Sequence, residues 1–167
     1  MIPTQRRVLM VVHHNDTRCQ KEALALIGEG YTIDLLTGAP CTYGDHFNMI
    51  ITFHKWEHIT TYVKQFAHLY DVIHTHCKPD HTGIHVLEAL RGMAPRPALV
   101  HDPHDLDSIR CGSTPMTEQE LILSADGLVL PSEAVREDVK DFFFRHPNSP
   151  AMPPAVVKPR KPSMTHF

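Results

Sequence analysis

What this sequence lacks first is a glycine-rich phosphate loop. Only 8 glycines occur in 167 residues, and the turn His13-His14-Asn15-Asp16-Thr17-Arg18 after the first apolar run contains none. A dinucleotide fold places G-x-G-x-x-G at that turn so that the backbone can approach a pyrophosphate. NAD or FAD in the usual mode is therefore not expected. The chain also has no P-loop motif and no G-x-S-x-G nucleophile elbow. It has no basic surplus either: 16 Lys and Arg against 19 Asp and Glu leave a formal charge of -3. Nucleic acid is thus not an expected partner. No apolar run reaches the roughly 18 residues of a membrane span, so membrane association is not indicated. The first apolar run breaks at His13, too soon for a secretory signal, and a cytoplasmic location is expected. Cys19, Cys41, Cys77 and Cys111 form no C-x-x-C pair and read as reduced, packed thiols.

What is present alternates regularly. Arg7–Val12 is a continuous apolar run, as a strand covered on both faces requires. Thr17 and Gln20 make a capping box for a helix with Cys19, Ala23 and Ile27 on one face, ended by Gly28 and Gly30. Strands follow at 31–36, 49–53, 71–76, 98–101 and 127–130. Between them lie helices at 56–70, 82–91, one opening at Thr114-Pro115, and one capped by Ser132. Trp56, Ile59, Val63, Phe66 and Tyr70 recur at steps of three and four and read as core rather than as a cofactor box. In the last helix Val135, Val139 and Phe142 point inward. The order predicts an α/β, Rossmann-like, doubly wound and mostly parallel sheet of about six or seven strands, with helices on both faces. Residues 1–146 form that domain. Six prolines fall within residues 147–167, which read as a linker or tail.

Ligands of an open parallel sheet bind at the carboxyl ends of its strands. Those ends carry His13-His14-Asn15-Asp16, His74-Thr75-His76, His101-Asp102-Pro103-His104-Asp105 and Pro131-Ser132-Glu133. Fourteen histidines make these ends unusual. His74 and His76, two apart in a strand, share a face. With Cys77 and His81 they approach a metal set but match no zinc spacing, and no metal is assigned. Arg18 at a helix N-terminus suits an anion or sits as a solvated arginine in the capping turn. Ser132 and Glu133 read as a helix cap and a first-turn acid.

Asn15-Asp16-Thr17-Arg18 with Lys21-Glu22-Ala23 and Gly30-Tyr31, Asp71-Val72-Ile73-His74-Thr75-His76, Val100–Leu106 with its H-D pair, and Ala125–Glu133 together resemble glycosyltransferase family 4. The resemblance implies the acceptor-side half of a retaining, nucleotide-sugar-dependent transferase of the GT-B type. His104 and Asp105 would then be catalytic. His14, Asn15, Arg18 and His76 would bind a sugar or glycan acceptor, and His101, Ser132 and Glu133 would line the cleft. This chain holds no cofactor by that reading. The family's nucleotide-sugar domain would begin where the sequence stops, so the half is expected to be inactive alone, with a separate donor-domain protein as partner. Two other readings stand beside it. One is a binding module without turnover, for a small phosphorylated or sugar ligand. The other is a metal-dependent hydrolase or epimerase using the histidines.

Overall fold

The computed structural model describes residues 6–14, 17–41, 44–76, 81–103, 106, 116–145 and 150–157. Strand β1 is Arg7–Val12, followed by helix α1 (Thr17–Gly28) and strands β2 (Thr32–Thr37) and β3 (Met49–Thr52). Helix α2 (Trp56–Phe66) runs through a short tight turn, Ala67–Leu69, into β4 (Val72–His76). Then come α3 (His81–Leu90), β5 (Ala98–Asp102), α4 (Met116–Ser124), β6 (Gly127–Leu130), α5 (Glu133–Val139) and β7 (Ala155–Val157). All six strand pairings are parallel, in the order β3-β2-β1-β4-β5-β6-β7. The expected Rossmann-like fold is present. Strand order reverses between β1 and β4, and that reversal is the crevice where such sheets take ligands.

The two faces are covered unequally. On one face α2 packs on α3 and α3 on α4. This layer buries Leu9, Val11, Leu36, Ile73 and Leu99 against Ile59, Val63 and Val86. Each fully buried aliphatic side chain of this kind contributes about 1.5–3 kcal/mol. On the other face α1 buries Cys19 and Ala23 against Val8, Met10, Ile33 and Leu35. Beyond α1, the β4–β7 half of that face forms an open apolar shelf lined by Val72, Val100, Val129 and Val156. Among the described residues no helix is long and apolar enough to cross a membrane.

Local chemistry explains the turns. Gly30, at φ +87, lets Tyr31 N–H reach Leu26 C=O at 3.1 Å and so close α1. Gly92, at φ +73, follows α3, and Met93 N–H reaches Leu90 C=O at 3.1 Å. Two expectations change. Phe143, not Phe142, is buried, and Phe142 is 51% exposed. The reason is a wider turn over Lys140–Phe144, which shifts the helical phase by one residue. Within the stretch read as a linker or tail, Ala155–Val157 is instead an edge strand paired with β6. Pro153 and Pro154 precede it, where a missing N–H costs no ladder bond, and Pro154 C=O accepts from Leu128 N–H at 2.9 Å. The cap expected at Thr114-Pro115 lies outside the described residues.

Candidate functional site

Pleating decides which carboxyl-edge residues meet. His74 and His76 project toward α1, because β-strand side chains alternate. The register sets His76 beside Asp102 and Thr75 beside His101. His101 therefore faces the other layer, where its Nδ1 lies 2.9 Å from Thr75 Oγ1.

From above, α1 supplies Arg18 and Glu22, one turn apart, with Arg18 Nε 3.4 Å from Glu22 Oε1. Arg18 grips Asp102 with two bonds, Nε to Oδ2 at 2.9 Å and Nη2 to Oδ1. His76 Nε2 stands 3.4 Å from Glu22 Oε2, and His76 Nδ1 3.7 Å from Asp102 Oδ2. His74 Nε2 is 3.9 Å from Glu22 Oε2. The two imidazoles lie 4.7 Å apart at 30°. Asp102 is fully buried, and His74 and His76 are nearly so. Burial, and then the Arg18 charge, push His74 down to about 4, so its ring is neutral near pH 7. One guanidinium against two carboxylates leaves this cluster with a formal charge of -1. That balance repels the phosphate that Arg18 alone would attract.

A second feature lies further along the same edge. His13, Gly38, Phe53, His54, Lys55, Trp56 and Glu57 line an open cleft of about 520 Å³. That volume falls within the range of small-ligand sites. The cleft is built from rings. His13 is centred 5.0 Å from Trp56 and 6.3 Å from Phe53, and Phe53 lies 5.6 Å from Trp56. His81 adds a ring 5.9 Å from Trp56. Gly38 is required at the base. A Cβ there would stand 2.8 Å from His13 Cδ2 and 2.9 Å from Phe53 Cζ. Burial, and then the neighbouring His14, lower the pKa of His13.

The structure brings Arg18 and His76 together in the cluster. It leaves His14 exposed on the edge, its ring 4.1 Å from His13. Ser132 caps α5, its Oγ accepting from Val135 N–H at 3.3 Å. Glu133 is exposed and pairs with Arg136 at 3.1 Å. Neither reaches the cluster. Asn15, His104 and Asp105, like Cys77, lie outside the described residues. Sequence reasoning missed Glu22 and Asp102 as partners of His74 and His76. The signal was there: Arg18 and Glu22 are four apart on a helix facing the H-x-H strand. It also assigned Trp56 wholly to the core, whereas Trp56 is half-buried and forms a cleft wall.

No family model matches the chain, and no curated protein matches it. Solved structures of similar fold include a short-chain dehydrogenase/reductase from Veillonella parvula, with TM-score 0.52, 9% identity, and coverage of 77% of this chain and 70% of that one. A Serratia marcescens short-chain dehydrogenase/reductase variant has TM-score 0.51 at 12% identity, covering 93% of this chain and 97% of that one. At such identities the likeness is one of fold alone. These findings overturn the resemblance to glycosyltransferase family 4: no family model carries it, and these similar structures are dehydrogenases. The motifs behind it have local structural reasons. Asp71 accepts from Arg7 N–H at 2.8 Å, Asp126 holds Arg96 and Leu99 N–H, and Ala23 is core. The nucleotide sugar, the glycan acceptor, the donor-domain partner and the catalytic roles of His104 and Asp105 lose their support with it.

Proposed function

We propose that this chain is a Rossmann-like binding module that takes a small planar heteroaromatic ligand, of the nucleoside kind, in the ring-lined cleft. The carrying observation is the cleft itself: about 520 Å³ at the carboxyl edge, walled by His13, Phe53 and Trp56 and rimmed by His54, Lys55 and Glu57. His13 and Trp56 are partly exposed, with the buried Phe53 behind them, and ring surface of this kind is what a flat base stacks on, at about 1–3 kcal/mol per base. Lys55 and Glu57 offer a donor and an acceptor to the edge of that base. The parallel-sheet fold supports a site at this edge, where open sheets of this kind take ligands. The glycine-free turn His13–Arg18 supports a ligand without the pyrophosphate of a dinucleotide. No turnover is expected, because binding alone accounts for these residues.

Trp56 is the chain's only tryptophan, so its fluorescence reads this cleft directly. Adenosine, guanosine, uridine and cytidine are titrated against the protein, with ribose and inorganic phosphate as controls. The expected result is a saturable Trp56 response to at least one nucleoside and none to the controls. No saturable response to any nucleoside, or an equal response to ribose, overturns the reading.

A further inference from the structure

We propose that Glu22, His74, His76 and Asp102 form a divalent transition-metal site, distinct in its residues from the ring cleft. Each residue offers one ligand atom, and the four atoms all lie within 4.8 Å of one another. Two imidazole nitrogens with two carboxylate oxygens are a donor set for zinc, and for cobalt, manganese or iron(II) in its place. Two ligands each about 2.1 Å from a tetrahedral ion stand about 3.4 Å apart. His76 Nε2 and Glu22 Oε2 are 3.4 Å apart, and His74 Nε2 and Glu22 Oε2 are 3.9 Å apart. Bringing the set onto one ion closes separations of up to 4.8 Å toward that spacing by side-chain rotation.

A second observation points the same way. His74 is 6% exposed, and its Nε2 is buried without a hydrogen bond. Such an atom costs roughly 1–3 kcal/mol unless it finds a partner. Its neighbour Glu22 Oε2, at 3.9 Å, is too far for a hydrogen bond but suitably placed as a co-ligand. A lone pair on a neutral imidazole beside excess negative charge is what a cation uses. Arg18 does not block the site. A carboxylate oxygen has two lone pairs, and Arg18 engages one on each oxygen of Asp102. The two-bonded guanidinium then acts as a positioning residue that fixes the carboxylate, as outer-shell partners do at metal centres.

The test uses the full 167-residue chain without a histidine tag, stripped with chelator and dialysed against zinc alone. About one equivalent is expected to bind and to raise the melting temperature. Replacing His76→Ala or Glu22→Gln is expected to weaken zinc binding at least about tenfold. His68→Ala, an exposed histidine away from the cluster, is expected to leave it unchanged. Less than about half an equivalent bound, or equal affinity in the cluster variants, overturns the site and leaves a plain ion-pair network. Should the variants fail to fold, cobalt loading of the unaltered protein decides. An intense visible band of a four- or five-coordinate ion is expected, whereas the weak spectrum of the hydrated ion overturns the proposal.

Discussion

Two places on one sheet edge are made of opposite materials. The cluster under α1 is buried and charged: Asp102 is 0% exposed, Arg18 pairs with it, and His76 stands 3.4 Å from Glu22. The cleft beside α2 is open and ringed, and its polar residues stand at the rim. Both occupy the carboxyl edge, where backbone ladders end and side chains converge. The difference teaches what each can do. A buried charged cluster is coupled to folding, because removing one member strands another. An open ringed cleft is coupled mainly to what enters it, because His13 and Trp56 are partly exposed already, while Phe53 behind them belongs to the core.

That contrast is breakable by mutation, and the largest effect belongs to the cluster. Arg18→Met leaves the Asp102 carboxylate buried without its two-bonded partner. A loss of about 3 kcal/mol or more is expected in urea unfolding. Adding Asp102→Leu is expected to recover most of it. A loss below about 0.5 kcal/mol would place the cluster among ordinary surface pairs.

Gly38→Ala comes next, because the new Cβ meets His13 and Phe53. It is expected to cost about 1–3 kcal/mol as an overpacking change and to abolish nucleoside binding in calorimetry. Trp56→Leu is smaller for the fold, about 1 kcal/mol from lost ring contacts. It is nonetheless expected to weaken nucleoside binding at least about tenfold, the equivalent of 1.4 kcal/mol. A stability loss in Trp56→Leu as large as that of Arg18→Met, with nucleoside binding unchanged, would erase the distinction between the two regions.

The smallest effect is a titration. Burial disfavours the charged form of His13, so its proton leaves at lower pH than from a free histidine. A protonated imidazole quenches an indole it touches. Trp56 emission is therefore expected to fall on acidification with a midpoint below 6.5, the ordinary value, and His13→Phe is expected to remove the transition. A midpoint at or above 6.5 would show that His13 is solvated and stands off the ring.

Much of this was legible from residue order. The apolar runs at 7–12, 31–36 and 98–101 and the stripe from Trp56 to Tyr70 marked strands and helices to within a few residues, because burial imposes periodicity. His74 and His76 were readable as one pair on one face for the same reason. Their partners were not, because Glu22 and Asp102 come from a helix and a strand far apart in sequence, and only the crossover brings them together. Trp56 shows the opposite failure: helical spacing marks a face as apolar, but not whether its first turn opens into a cleft. The π-type turn at Lys140–Phe144 has no sequence signature that separates Phe142 from Phe143. The family resemblance failed because its short motifs follow from this sheet architecture, and they do not specify a chemistry.

The most direct test of the ring-lined cleft as a binding site is an adenosine titration followed by amide resonances of the isotopically labelled full chain. Shifts concentrated at His13, Gly38 and residues 53–57, saturating together with the Trp56 response, are the predicted result. Shifts absent from those residues, or spread evenly over the surface without saturation, would contradict it.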